Sequence, residues 1–139
     1  MARALLDTDI LSEVFKAKDA TVAAKAQEYR TAHGFFTISS VTVMEVVKGL
    51  HKLREPGRLQ SFLDAVSGDE ILPLDKASAE VAGKIHADLE SAGQTIGRAD
   101  PMVAGIAIQH GLVLVSGNTA HYHRIRALGY PLQIDNWRG

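Results

Sequence analysis

Residues 112–116, LVLVS, decide the fold. Leu112 to Val115 offer no polar alternate positions, so the strand they form must be covered on both faces. Such a strand belongs inside a parallel sheet flanked by helices on either side. Upstream, Asp100-Pro101 opens a helix running to about residue 110. Before it comes the loop GQTIGR (93–98) and a long helix capped by Asp75, with Val81, Ile85 and Leu89 recurring every four residues. EILPL (70–74) and FFTIS (35–39) read as strands. PGRLQSFLDAV (56–66) is helical, with Leu59, Phe62, Leu63 and Val66 on one stripe, as is SVTVMEVVKGLHKL (40–53), with Val43, Met44, Val47 and Leu50. ATVAAKAQEYRTA (20–32) is a helix ending at Gly34. The N-terminus gives a strand over 3–7 and a helix over 9–17; a helix at 119–128 and a strand at LQI (132–134) close the chain. The alternation predicts one three-layer α/β domain over residues 1–139, with about five parallel strands in a twisted sheet and helices on both faces.

The composition narrows the function. With 46% hydrophobic and 22% charged residues the chain reads as an ordinary globular protein. It has no cysteine, which excludes disulfides and thiolate metal sites. An acid at Asp7 comes too early for a signal peptide, and the apolar run Met102–Ile108 is far short of the ~20 residues that span a bilayer. A cytoplasmic protein with no membrane contact is expected. The formal net charge of −1 argues against nucleic-acid binding by bulk positive charge, so any such contact needs a local basic patch or a metal ion.

Parallel sheets bind ligands outside the C-terminal ends of their strands, near a switch in strand order. Asp7 ends the first predicted strand, Ser116-Gly117-Asn118 follow the fourth, and Asp100 opens a helix. Glu45 lies inside a helix among Val41, Val43, Met44, Val46 and Val47, where a charge needs a partner or a cavity. Gly49, one turn on, suggests close approach of another element. Each acid also has a plainer reading: Asp100 before Pro101 and Asp7 or Asp9 before the first helix suit N-caps, and Glu45 suits a solvated position. Three acids at predicted rim positions are harder to explain by capping alone. Carboxylates without cysteine suit a hard cation, Mg²⁺ or Mn²⁺, and such sites hydrolyse phosphodiesters.

The stretches LLDTDILSE, ISSVTVMEVVKGL, IGRADPMVAGIAIQHGLVLVSGN and HYHRI, in that order along the whole chain, resemble the PIN-domain ribonucleases, specifically the VapC toxins of toxin–antitoxin systems. The resemblance implies a Mg²⁺-dependent endoribonuclease, with Mn²⁺ able to substitute. It would cut structured RNA (tRNA or rRNA) to block translation, form a homodimer, and be neutralised by a VapB-like antitoxin. The antitoxin's C-terminal segment would cover the acidic groove, an Arg or Lys pairing with the carboxylates. The family's catalytic and metal-binding acids fall on Asp7, Glu45 and Asp100. Thr8 and Ser116 match hydroxyl neighbours of the carboxylates, Asn118 a frequent asparagine, and Asp9 a position more often asparagine and read here as supporting or capping. Where the wider family has a fourth acid stands His121, a poor Mg²⁺ ligand, read as a surface or phosphate-facing side chain; one metal or two both remain open. Lys48, Lys52, Arg98, Arg124 and Arg126 are candidates for RNA contact, and Tyr122 for base stacking or for the core.

Other classes fit less well. Asp7-Thr8-Asp9 has the Asp-x-Asp of an aspartyl-nucleophile phosphatase, but Ile10-Leu11 replace the expected Gly-Thr. A phosphorylated receiver domain needs an acceptor aspartate after the third strand, where Asp75 stands, and a lysine after the last, where QIDNW has none. A silent, partner-binding PIN domain is disfavoured by the intact acids.

Overall fold

A computed structural model describes residues 1–138. Five strands, β1 (Ala4–Leu6), β2 (Thr37–Ser39), β3 (Glu70–Leu72), β4 (Val113–Val115) and β5 (Ile134–Asp135), form one sheet in the order β3-β2-β1-β4-β5. All four pairings are parallel, as the apolar strand at 112–116 predicts. Seven helices are described: α1 (Thr8–Lys16), α2 (Ala20–His33), α3 (Ser40–Lys52), α4 (Pro56–Val66), α5 (Lys76–Ser91), α6 (Ala99–His110) and α7 (Thr119–Ala127). None is long and apolar enough to cross a membrane.

Strand side chains alternate between faces, so β1 feeds two cores. Ala4 and Leu6 join the layer built with Ile10, Leu11, Val22, Tyr29, Phe62 and Trp137. Leu5 joins the opposite layer with Ile85, Leu89, Ile106, Leu114 and Tyr122. Polar side chains set several helix starts: Asp19, Ser39 and Asp75 accept the first-turn backbone N–H groups of α2, α3 and α5. Gly34 and Gly111 end α2 and α6 in left-handed conformation.

Some expectations need correction. Met44 is exposed, in line with Lys48 and His51, because α3 buries Val41, Thr42 and Leu50 instead. Leu63 is also largely exposed; Phe62 and Val66 carry the buried stripe of α4. Nothing approaches Gly49, whereas a Cβ on Gly105 would lie 2.7 Å from the Ser78 carbonyl oxygen and 3.0 Å from the Ala82 nitrogen. The close helix–helix approach is therefore between α5 and α6. The predicted strand at 132–134 is shifted, with β5 at Ile134–Asp135.

Candidate active site

The sheet order reverses at β1: β2 and β3 lie to one side, β4 and β5 to the other. That boundary is where open parallel sheets form a crevice. Register pairs Leu6 with Val115, so the next residues, Asp7 and Ser116, stand level. The Ser116 hydroxyl donates to Asp7 Oδ2 at 2.9 Å, and the Thr8 backbone N–H donates to Asp7 Oδ1 at 2.9 Å. Asp7 is only 4% exposed, and no cationic side chain pairs with it among the described residues. Burial pushes its pKa up to about 6, against the pull of these donors, and the nearby Asp9 charge adds to the rise.

Asp100 does not cap. Helix α6 begins at Ala99, Arg98 occupies the cap position without a side-chain bond, and Asp100 sits within the first turn. Its carboxylate is thereby free to turn toward α7. Asp100 Oδ2 lies 2.8 Å from His121 Nδ1, and Oδ1 lies 3.3 Å from the Tyr122 hydroxyl. That same hydroxyl donates to Asp7 Oδ2 at 3.0 Å. His121 is thus half-exposed and paired with Asp100, not a free surface histidine. Tyr122 is fully buried and cannot stack on a base.

Glu45, half-buried on α3, finds its partner in Thr8, whose hydroxyl donates to Glu45 Oε1 at 2.8 Å and lies 3.1 Å from that of Thr42. Thr8 therefore links two acids, Asp7 through its N–H and Glu45 through its hydroxyl. Among the described residues, no three Asp, Glu or His side chains converge closely enough to hold a metal ion as they stand. The structure brings Asp7 and Asp100 together through Tyr122 and leaves Glu45 one residue removed.

Asp9 is a structural support. Its Oδ1 accepts the Ile10 N–H at 2.8 Å and its Oδ2 the Gly117 N–H at 2.9 Å, with Arg138 Nη1 at 3.5 Å. Arg138 also reaches Glu13 at 3.7 Å. A Cβ on Gly117 would lie 2.0 Å from Arg138 Nη1 and 2.5 Å from Asp9 Oδ2, so a larger residue here would displace the Arg138 guanidinium from Asp9. Asn118 contributes through its backbone: its N–H donates to Ser116 Oγ at 2.9 Å, and its carbonyl oxygen accepts from the His121 N–H at 3.2 Å and the Tyr122 N–H at 3.4 Å; its side chain reaches neither carboxylate. Lys48, Lys52, Arg98, Arg124 and Arg126 are exposed and free of ion pairs among the described residues.

Sequence reasoning placed Gly117 at the rim without giving it a contact and read Tyr122 as a base-stacking or core residue; it missed Thr42 and Arg138. Only the tyrosine hydroxyl hinted at a polar role for Tyr122, which α7 buries together with Ile125. It also missed an open groove of about 720 Å³ whose lining includes Phe15, Leu53 and Phe62, with Thr8 and Glu45 beside them. Lys16 and Arg58 add positive charge to it.

The donor set can be tested against a hard cation. It is all oxygen, with a buried, uncompensated carboxylate at its centre. Mg²⁺ retains several waters and takes one or two protein carboxylates, so Asp7 and Asp100 suffice where a closed cage is absent. Two alternatives lose support. Asp75 is spent capping α5, its Oδ1 accepting the Ser78 N–H at 2.8 Å, and so offers no receiver-type acceptor. Asp9 is committed to Gly117 and Arg138, which removes the phosphatase's second acid.

The family model for the PIN domain matches residues 4–127. The "tRNA(fMet)-specific endonuclease VapC" of Shigella flexneri is 35% identical over 129 residues, covering 92% of this chain and 96% of the relative. "Ribonuclease VapC2" of Haemophilus influenzae is 30% identical over 141 residues, covering 99% of each. Among solved structures, DNA-bound VapBC from Salmonella typhimurium superposes with a TM-score of 0.81 at 30% identity, covering 99% of both chains. VapBC2 from Rickettsia felis, bound to a promoter DNA fragment, gives 0.80 at 26% identity, covering 96% of this chain and 98% of that one.

Proposed function

Because the chain belongs to the PIN-domain family, we propose that it is a divalent-metal-dependent endoribonuclease of the VapC toxin type, silenced by a VapB-like antitoxin. The observation that carries the reading is Asp7: a carboxylate buried at the switch point, paired with no cationic side chain among the described residues and sharing one hydroxyl with Asp100. The residues proposed to hold Mg²⁺, or Mn²⁺ in its place, are Asp7 and Asp100, with Glu45 alongside. Such an ion, when bound, supplies the positive charge that favours attack of water on phosphorus and departure of the leaving oxygen.

The chain's own residues do the rest. Ser116 and the Thr8 N–H hold the Asp7 carboxylate in one orientation. Thr8 aims Glu45 through its Oε1, leaving Oε2 to accept a proton or orient water. The exposed Lys48, Lys52, Arg98 and Arg124 suit phosphate contacts along an RNA backbone, which a near-neutral chain otherwise lacks. Structured RNA is the proposed substrate; the Shigella relative's name makes tRNA(fMet) the first to test, ahead of rRNA. A homodimer acting in the cytoplasm completes the reading, on the strength of the family relationship. Glu45→Gln is expected to lower the cleavage rate about 10- to 100-fold while the fold persists. A rate within twofold of the unsubstituted chain contradicts the role given to Glu45.

The groove between α1, α3 and α4 supports the antitoxin. Exposed Phe15 and Leu53 on its walls suit an amphipathic peptide, and Glu45 beside them suits a basic side chain from that peptide. Leu53→Asp is expected to raise the antitoxin concentration that silences cleavage by about tenfold or more. Equal silencing of both chains places the antitoxin elsewhere.

A further inference from the structure

Tyr122 occupies an unusual position for a core residue. Its ring is packed among Leu5, Ile106, Leu114 and Ile125 in one hydrophobic layer, yet its hydroxyl emerges between two acids. A phenol has one proton to donate. Asp7 Oδ2 at 3.0 Å and Asp100 Oδ1 at 3.3 Å therefore share it. A phenol is protonated at neutral pH, so the hydroxyl is a donor to the two carboxylates. His121, the preceding residue, engages the other oxygen of Asp100 at 2.8 Å. Consecutive residues of α7 thus address both oxygens of Asp100 and one of Asp7.

Like-charged carboxylates in a poorly hydrated pocket repel one another and turn apart unless something holds them. Ser116 and Thr8 act on Asp7 alone, and His121 on Asp100 alone. The Tyr122 hydroxyl is the one side-chain group among the described residues that touches both. Resting on the metal-nuclease reading above, we infer that Tyr122 is a positioning residue that fixes the separation and orientation of Asp7 and Asp100 for a divalent cation. It contributes no ligand of its own. Its action is to limit how far the two carboxylates stray before the ion arrives, so that less ordering remains for binding to accomplish.

The test uses Mn²⁺ as the probe and no RNA. Tyr122→Phe keeps the ring and removes only the hydroxyl. Its Mn²⁺ dissociation constant, measured by calorimetry or by the spin-resonance signal of free Mn²⁺, is expected to rise about tenfold or more. A purely structural role would lower the melting temperature without moving that constant. Mn²⁺ is also expected to perturb tyrosine absorbance in the unsubstituted chain, and the signal should vanish in Tyr122→Phe. Tyr29 and Tyr130 bond to Ala4 and Asp88, away from these acids, and are not expected to report. An Mn²⁺ affinity within twofold of the unsubstituted chain, or no tyrosine perturbation on binding, overturns the inference. If the unsubstituted chain binds no Mn²⁺, or Asp7→Asn binds it equally well, the metal reading itself falls and takes the inference with it.

Discussion

Asp7→Asn is expected to lower RNA cleavage by at least about 10³-fold and, at the same time, to stabilise the metal-free fold at neutral pH. The two effects have one cause. The carboxyl's pKa rises from 3.8 to about 6 on folding, chiefly because burial disfavours its charge. A group that binds its proton more tightly when folded favours the fold below its unfolded pKa, and that contribution is lost as pH rises through its folded value. The loss therefore runs from about pH 4 to just above 6, and at 1.36 kcal/mol per unit it amounts to about 3 kcal/mol at most. Asparagine carries no such charge. In urea unfolding with chelator present, the variant should match the parent near pH 4 and exceed it increasingly toward pH 7. A variant less stable than the parent at pH 7 would show that the ionised carboxylate is stabilising. That would contradict a site strained until a cation binds.

Gly105→Ala is expected to be the most damaging small substitution in the core. The added methyl would meet the Ser78 carbonyl oxygen at 2.7 Å and Ala82 Cβ at 3.1 Å. The first contact is backbone, which cannot rotate away, so α5 and α6 must separate. Overpacking of this kind costs about 1–3 kcal/mol, enough to lower the melting temperature by several degrees. Because α6 carries Asp100, its displacement should also weaken Mn²⁺ binding. Gly49→Ala, with open space around it, is the matched control and should leave stability unchanged or slightly raised. Equal melting temperatures for Gly105→Ala and the parent would mean that the two helices are not in backbone contact.

The two glycines also mark where sequence reading stops. Both stand inside apolar helical stretches, and nothing local distinguishes them; only the approach of α5 gives Gly105 its role. The sheet was readable because its strands are short apolar runs between helical periods. Asp7 and Ser116 followed from their place one residue beyond β1 and β4. Asp100 was harder, since Asp-Pro at a helix start has the same spacing whether it caps or serves a site. The difference is two residues of helix register, with Arg98 rather than Asp100 at the cap and α6 starting at Ala99. Tyr122 lay within a recognised stretch, but the direction of a buried hydroxyl depends on which carboxylates lie across the sheet rim. Asn118 matches a frequent asparagine of the family and acts here through its backbone. Arg138 joins the network from the end of the chain, after Trp137 has anchored that segment in the core. No motif announces it.

The most direct test of the central claim is cleavage of a pool containing tRNA(fMet) and ribosomal RNA by the purified chain. It should be run with Mg²⁺ or Mn²⁺, with chelator, and beside Asp7→Asn. The account predicts discrete fragments that require both the metal and Asp7. Cleavage that persists in chelator or in Asp7→Asn, once contaminating nuclease is removed, would contradict it.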